Sequence, residues 1–235
     1  MLISTTFNVN SDARGGDPDR RSPTLREYHR LLWSKRLPNG KMFDLVTGRN
    51  GEYLHHYSSL GKFVLSSDAI THSYRNHVRK AKTTQQIPDQ VNELFDAGST
   101  IGGYLIFPGN RIDRQHTINQ ARGVHPKIDD RFDLTLECIR RFYIGVASPL
   151  TSVLDRYSNF FALFEDFRNY TSFFLLDDLL DEKGQVRFYL PFSDFAAPPD
   201  FTCVDDYLVY KQSVMQFLRC RNARIAAWAH VHTAG

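Results

Sequence analysis

The sequence is poor in cysteine and has no long apolar run. Its 235 residues include three cysteines, Cys138, Cys203 and Cys220, whose odd number and wide spacing argue against a disulfide framework. No CxxC pair is present, which argues against a zinc finger or zinc ribbon. No apolar run approaches the roughly 18 residues of a membrane-spanning helix, and no secretory signal opens the chain. We therefore expect a cytoplasmic protein with no membrane partner.

The sequence also lacks the short motifs of common nucleotide-binding and hydrolytic enzymes. It contains no GxGxxG after a strand and no GxxxxGK[ST], HExxH or GxSxG pattern. The histidines are poorly spaced for a metal: His55 and His56 would point to opposite faces of a strand, and His72 and His77 lie five residues apart in a predicted helix. We predict neither a bound metal nor a cofactor, and these absences do not decide whether the protein is an enzyme.

What the sequence does have is the composition of an ordinary folded domain. Apolar residues make up 42% and charged residues 23%, and an aromatic share of 13% can fill a sizeable core without covalent cross-links. No repeat, low-complexity tract or linker divides the chain. Residues 1–235 are therefore predicted to form one domain, with a loop-rich segment over residues 1–22 and a flexible tail over residues 226–235.

Capping signals and helical periods predict several helices. Ser22-Pro23 supplies the N-cap and first-turn proline of a helix that ends before Asn39-Gly40. Elsewhere apolar residues recur every three to four positions. The further predicted helices cover residues 71–82, residues 88–97, a stretch from Asp129 or Asp130 to Tyr143, residues 149–180 as one helix or two, and a last helix from Asp205 and Asp206.

Short runs of β-branched and aromatic residues predict strands. Residues 53–57 and 62–65, joined near Gly61, fit a hairpin. Residues 99–107 are the clearest strand, in which Gly102 and Gly103 are predicted to allow close packing, and residues 116–119 are predicted to return as its partner. Residues 186–192 are a further candidate strand. This order of elements predicts an α+β fold, mostly helical with a small, mainly antiparallel sheet.

Three stretches of the chain together carry a family resemblance. They read SPTLREYHRLLWSKRLPNGKMFDL, TIGGYLIFPGNRIDRQHTINQARG, and DDRFDLTLECIRRFY with its continuation SPLTSVLDRYSNFFALFEDF. The chain resembles a family of uncharacterised bacterial proteins of about this length, and only the tail WAHVHTAG departs from the pattern. The resemblance implies a bacterial or mobile-element origin and one full-length domain. It implies no activity, substrate or catalytic residue.

The charge is distributed unevenly along the chain. The formal net charge is +3, but residues 1–128 carry +7 and residues 129–235 carry −4. A basic half is typical of proteins that meet an anionic partner such as nucleic acid or a nucleotide. A split of this size also arises without such a partner. An acidic cluster in the second half, Asp177, Asp178, Asp181 and Glu182, is interpreted as a solvated turn rather than a magnesium site.

The densest polar segment runs from Arg111 to Arg141. Arginine binds phosphate or carboxylate through two hydrogen bonds, and histidine transfers protons near neutral pH. Loops between a strand and a helix often carry such side chains. The predicted acid–base residues are His116 and His125, and the predicted anion ligands are Arg111, Arg114, Asn119, Arg122 and Arg131. The alternative is that these residues make ion pairs that hold a long loop on the body of the protein.

Two functional hypotheses follow. The favoured one is recognition of nucleic acid or a nucleotide phosphate, with a role in defence or as a toxin. Its enzymatic version uses His116 or His125 as the acid–base group while arginines hold the phosphate. The alternative is a non-enzymatic interaction module or a homo-oligomer whose aromatic-rich helices present a binding face. The first hypothesis requires that the predicted arginine and histidine side chains converge on one cavity open to solvent.

Overall fold

A four-stranded antiparallel sheet organises the residues described by this computed structural model, which are residues 2–48, 53–71, 82–197, 199 and 201–232. The strands are ordered β1-β2-β3-β4 across the sheet. The predicted hairpin is confirmed: Ser58 pairs with Gly61, where a φ of 145° requires the freedom of glycine. The strands are β1 (Val46–Thr47), β2 (Leu54–Ser58), β3 (Gly61–Ala69) and β4 (Tyr104–Pro108).

Helices make up most of the remaining secondary structure. The fold is therefore α+β, mostly helical with a small antiparallel sheet, as predicted. Short 3₁₀ turns add Ile101–Gly103, Ala162–Phe164 and Asp177–Leu179. The α-helices of the described ranges are α1 (Pro18–Arg21), α2 (Pro23–Trp33), α3 (Lys82–Gln85), α4 (Pro88–Gly98), α5 (Ile118–Val124), α6 (Phe132–Tyr143), α7 (Thr151–Arg156), α8 (Ser158–Phe161), α9 (Phe167–Phe173) and α10 (Val204–His232).

Local signals place α2 and α5. The Ser22 Oγ atom accepts the backbone N–H of Leu25 at 3.0 Å, so the predicted cap of α2 is confirmed. The prediction of a strand over residues 116–119 is wrong. Thr117 and Gln120 form a reciprocal capping box that starts α5 instead, because each side chain bonds the other residue's backbone N–H. The T-x-x-Q spacing was present in the sequence as the signal.

Two other elements differ from expectation. The region predicted as one or two helices over residues 149–180 is broken into short pieces, and one break falls at Glu165, whose φ is 66°. The Asp166 side chain then caps α9 by accepting the N–H of Asn169 at 2.7 Å. Residues 186–192 form no strand, although Val186 makes an isolated bridge with Leu180.

Two of the predicted segments extend beyond the residues that the structure describes. Most of the basic helix predicted over residues 71–82 lies outside them. The tail predicted as flexible over residues 226–235 overlaps α10, which continues as a helix to His232 and buries Ala229. Residues 233–235 lie outside the described part. In the ranges that the structure covers, no helix combines the length and the apolarity needed to cross a membrane.

The centre of the core is a cluster of aromatic rings around Phe164. This ring is fully buried and lies 5.0 Å from Phe173, 5.2 Å from Phe174, 5.4 Å from Phe160 and 5.4 Å from Tyr170, measured between centroids. Most of these pairs are edge-on or tilted, which the quadrupoles of the rings favour. Segments from residue 158 to residue 174 therefore pack as one unit despite the breaks in their helices.

The helix α10 is fastened to the sheet by a buried arginine. Arg221 donates to the backbone carbonyls of Gly102 at 2.8 Å, Tyr104 at 2.7 Å and Phe174 at 3.1 Å. Beside it, Asn222 Oδ1 accepts the N–H of Gly102, and a Cβ atom at Gly102 would lie 2.3 Å from that oxygen. The predicted close packing at Gly102 and Gly103 is thus confirmed, although the two residues lie in a 3₁₀ turn before β4.

Candidate functional site

Arg122 forms ion pairs with two aspartates of the same chain. Its side chain is fully buried, and its Nη1 atom lies 2.6 Å from Asp68 Oδ2 and 2.8 Å from Asp130 Oδ1. Its Nε atom also donates to Thr135 Oγ1 at 3.0 Å. A guanidinium neutralised by carboxylates of its own chain and closed off from solvent has no capacity left for an external phosphate. The interpretation of Arg122 as an anion ligand is therefore corrected: it holds α5 on β3.

Arg131 has the same structural role at the start of α6. It is 3% exposed, and its Nη2 atom lies 2.6 Å from Asp133 Oδ2. Its Nη1 atom donates to the carbonyl of Pro199 at 3.1 Å. Asp133 in turn accepts the backbone N–H of Tyr189, so this pair joins α6 to the segment before α10. The interpretation of Arg131 as an anion ligand is corrected for the same reason as that of Arg122.

The remaining predicted residues lie at different places. Arg114 and His116 are exposed, and the His116 backbone carbonyl accepts Arg156 Nη2 at 2.8 Å. His125 lies in a separate depression with Lys127 and Arg141. Its Nδ1 atom accepts the N–H of Lys127, and burial together with the Lys127 charge lowers its pKa. None of the arginines predicted as anion ligands lines this depression beside His125.

Arg111 and Asn119 do share a cleft, which lies along the open edge of β3 and is called the edge cleft below. Its volume is about 460 Å³. Its lining is rich in carboxylates, hydroxyls and amides and includes two tyrosines. The residues concerned are Asp17, Asp19, Tyr53, Ser66, Ser67, Asp68, Tyr104, Arg111, Thr117, Asn119, Gln120 and Asp130.

The edge cleft exists because β2 is shorter than β3. Among the described residues the β2–β3 pairing ends at Leu65, and no described strand bonds the backbone of Ser67 and Ala69 on that side. Side chains satisfy it instead. Asp19 Oδ1 accepts the N–H of Ser67 at 2.7 Å, Asn119 Nδ2 donates to the Ser67 carbonyl at 3.3 Å, and Arg122 Nη1 donates to the Ala69 carbonyl at 3.3 Å. The helices α1 and α5 are thereby held as the two walls.

The ionisation of Asp19 is altered by its position in the edge cleft. Burial raises its pKa to about 8, against the opposing effect of the Ser67 N–H, and the charges of Asp17 and Asp68 raise it further. The carboxyl is therefore mostly protonated at neutral pH and can donate a hydrogen bond. A pKa close to the working pH is also what general acid–base catalysis requires.

Behind Ser67 lies a buried histidine that resembles half of a catalytic dyad. His29 Nε2 is 2.8 Å from Ser67 Oγ, and His29 Nδ1 accepts Trp33 Nε1–H at 3.0 Å. Because Nδ1 is an acceptor, the ring proton of the neutral imidazole is on Nε2 and is donated to Ser67. Burial lowers the His29 pKa to about 3. His29 therefore has no lone pair facing Ser67 with which to activate it as a nucleophile.

The acidic cluster at Asp177, Asp178, Asp181 and Glu182 lies outside the edge cleft, and several of its carboxylates already bind groups of the protein itself. Asp181 Oδ1 accepts the backbone N–H groups of Lys183 and Gln185, and Asp178 binds Arg224 in a two-bond ion pair. A depression of about 620 Å³ adjoins this region. No group of three or more His, Cys, Asp or Glu residues in the described ranges could hold a metal ion.

Asp17 and Asp19 were missed by the sequence reasoning, which treated residues 1–22 as a loop. The signal was present: Asp17-Pro18 has the N-cap and first-turn proline of a short helix, and the Asp17 side chain accepts the N–H of Asp19. That signal predicts α1. It does not predict that α1 faces the edge of a strand 48 positions away in the sequence.

These observations define an α+β protein with a polar cleft at a sheet edge. The chain belongs to a family of unknown function, DUF6994, which matches residues 3–225. The predicted resemblance to an uncharacterised family over nearly the full length is thereby confirmed. No curated protein and no solved structure shows significant similarity to the chain.

Proposed function

We propose that the edge cleft binds a nucleoside or a nucleotide. The observation that carries the proposal is the presence, in one cleft, of carboxylates, the half-buried Tyr53 ring and the exposed Arg111. Carboxylates accept hydrogen bonds from neighbouring sugar hydroxyls, and aromatic rings stack on bases. The cleft volume of about 460 Å³ lies in the range of small-molecule sites.

The charges of the cleft determine how a nucleotide would lie. Asp68 and Asp130 are the more buried carboxylates of the lining, and Arg122 beneath them compensates part of their charge, whereas Asp17 is exposed. A phosphate would be repelled from these carboxylates. Arg111 is exposed and therefore stands at the opening of the cleft. The sugar thus enters and the phosphate stays at the rim beside Arg111.

The proposal keeps the nucleotide part of the original hypothesis and narrows it. Of its five anion ligands, Arg122 and Arg131 are occupied inside the protein, and Arg111 and Asn119 line the edge cleft. Recognition of a nucleic-acid strand would have to use exposed residues such as Arg111 and Arg114. The hypothesis of a defence or toxin role depends entirely on such recognition. We favour a small nucleoside-type ligand, because the edge cleft brings more polar side chains together than the exposed arginines do.

Isothermal titration calorimetry tests the proposal with ribose, the four ribonucleosides, their monophosphates and inorganic phosphate. We expect at least one nucleoside to bind and its monophosphate to bind more tightly. Arg111→Ala should reduce the monophosphate affinity about tenfold, to that of the nucleoside, because a charge-assisted bond is lost. Asp17→Asn should weaken both ligands about fivefold, since a neutral amide oxygen accepts hydroxyls less strongly than a carboxylate.

The two variants control for each other. Asparagine at position 17 can still cap α1, and position 111 is exposed, so both proteins should melt close to the wild-type temperature. Inorganic phosphate binding as tightly as the monophosphate would mean a simple anion site. Absence of binding by every nucleoside and nucleotide would overturn the proposal.

A further inference from the structure

Lys35 lies in a box of aromatic rings remote from the edge cleft. Its Nζ atom is 4.6 Å from the ring centroid of Phe173, 5.1 Å from that of Trp33 and 5.6 Å from that of Trp228. The Nζ atom also donates to the backbone carbonyl of Phe173. The rings come from α2, α9 and α10, so the box exists only in the folded chain.

The charges around this amine disfavour a proton on it. Arg221 is fully buried nearby, and the contacts described for its guanidinium are backbone carbonyls and the Trp33 ring. Burial first, and the Arg221 charge second, lower the pKa of Lys35 to about 8, while Asp177 acts in the opposite direction. A desolvated lysine beside a second cation is a recognised way to obtain a nucleophilic amine.

Lys35 remains within reach of solvent. Both Lys35 and Trp228 are half-buried, whereas Trp33 and Arg221 behind them are closed off. A reactant approaching from the outer side would meet the amine first and the aromatic rings around it. These aromatic rings favour a reactant with an apolar carbon skeleton.

We propose that Lys35 is a nucleophilic amine that forms a Schiff base with an apolar aldehyde or ketone. The nitrogen lone pair attacks the carbonyl carbon, and the carbonyl oxygen takes up a proton. The nitrogen then loses its protons as water leaves. One amine and one carbonyl compound give one imine and one water, so the step needs no oxidant or reductant. The site and its reaction are independent of the nucleotide proposal for the edge cleft.

The contrasting role is structural. A lysine whose ammonium group simply rests on aromatic rings gains cation–π stabilisation and stays protonated at neutral pH. Such a lysine would react with electrophiles more slowly than the exposed lysines, because the rings shield it. The pH dependence of its reactivity therefore separates the two roles.

Reductive labelling of the whole protein tests the proposal. The protein is treated with limiting benzaldehyde and sodium cyanoborohydride between pH 6 and pH 10, and labelling of each lysine is measured by peptide mass spectrometry. We expect Lys35 to be labelled about tenfold faster than the exposed Lys41 at pH 7.5, a pH at which an ordinary lysine is almost wholly protonated. Its labelling should reach half its maximum near pH 8. Slower labelling than at Lys41, or labelling of Lys35 that is still far below its maximum at pH 9 and rises steeply towards pH 10, would overturn the proposal.

Two variants complete the test. Lys35→Arg should abolish the fast-labelled peptide and leave the others unchanged, and Lys41→Arg is its matched control. Asp177→Asn removes the carboxylate that favours the ammonium form, and its amide oxygen can still accept the Ser172 hydroxyl. We expect this variant to shift the Lys35 profile to lower pH. An unchanged profile would show that the electrostatic account is wrong.

Discussion

The carboxyl group of Asp19 is half-buried against β3, where it accepts the N–H of Ser67 at 2.7 Å. Burial raises its pKa to about 8, above the value of about 3.9 in an unfolded chain. The folded state therefore binds a proton that the unfolded state has lost between these two pH values. Stability contributed by this group is fully present below about pH 4 and is lost as the pH rises through about 8.

Asp19→Asn should remove that pH dependence. An amide keeps an oxygen for the Ser67 N–H and cannot ionise. We expect the variant to gain stability relative to the wild type as the pH rises from 5 to 9. Thermal unfolding of both proteins at pH 5, 7 and 9 measures the difference. Parallel curves at all three pH values would mean that Asp19 ionises normally in the folded protein.

The tautomer of His29 is likewise decided by its neighbours. Trp33, one helical turn further along α2, donates to Nδ1, so His29 donates to Ser67. The i, i+4 spacing of His29 and Trp33 can be read from the sequence. The contact with Ser67, 38 positions away, cannot be read from it. A histidine beside a serine would suggest the nucleophile and base of a hydrolase. The bond from Trp33 to His29 excludes that role for this pair, because it leaves His29 as the donor to Ser67.

At the level of secondary structure, the main feature is the open edge of β3. Unpaired strand edges invite pairing with other chains, and proteins commonly cover them. Here the cover consists of side chains from α1 and α5, and the space left between these helices is the edge cleft. The cleft is thus a consequence of unequal strand lengths in β2 and β3.

Arg122→Ala should destabilise the protein by about 3–5 kcal/mol, because it removes a fully buried cation that pairs with the buried Asp130 and with Asp68. Arg111→Ala is the matched control, since Arg111 is exposed, and it should change stability by less than about 0.5 kcal/mol. Urea unfolding of the two variants gives both values. Equal, small losses would indicate that water reaches the Asp68–Asp130 pair.

At the level of the whole molecule, one core joins the helices to the sheet. Phe164 contacts rings from α8, α9 and the segment before β1, including Phe43 at 6.0 Å, and Arg221 fastens α10 to β4. The broken helices over residues 151–173 have little stability of their own, because short helices are marginal in water. Their stability comes from this shared aromatic packing.

Phe164→Ala should therefore lower the free energy of unfolding by about 3–5 kcal/mol. The loss should be seen by near-ultraviolet and far-ultraviolet circular dichroism in one common urea transition, because helices and rings depend on the same core. Val209→Ala, at a position 52% exposed on α10, serves as the control. Separate transitions by the two probes would contradict a single cooperative core.

Much of the architecture could be predicted from local sequence signals. The cap at Ser22, the hairpin at Gly61 and the close approach at Gly102 were predicted and are confirmed, because each depends on residues a few positions apart or on the absence of a side chain. The capping box at Thr117 was equally local and was overlooked. Membership of a family without known activity added no site residue.

The candidate site was decided by the tertiary structure. Arg122 and Arg111 look alike in the sequence, yet one faces Asp68, 54 positions away, and the other faces solvent. Whether a charged side chain is neutralised, or a carboxyl or amine loses its usual pKa, depends on groups brought close by folding, as at Asp19 and Lys35. The sequence alone determined local features such as the cap at Ser22 and the hairpin turn at Gly61, since their bonds join residues a few positions apart. The cleft, the ion pairs and the aromatic box arose only where distant segments met.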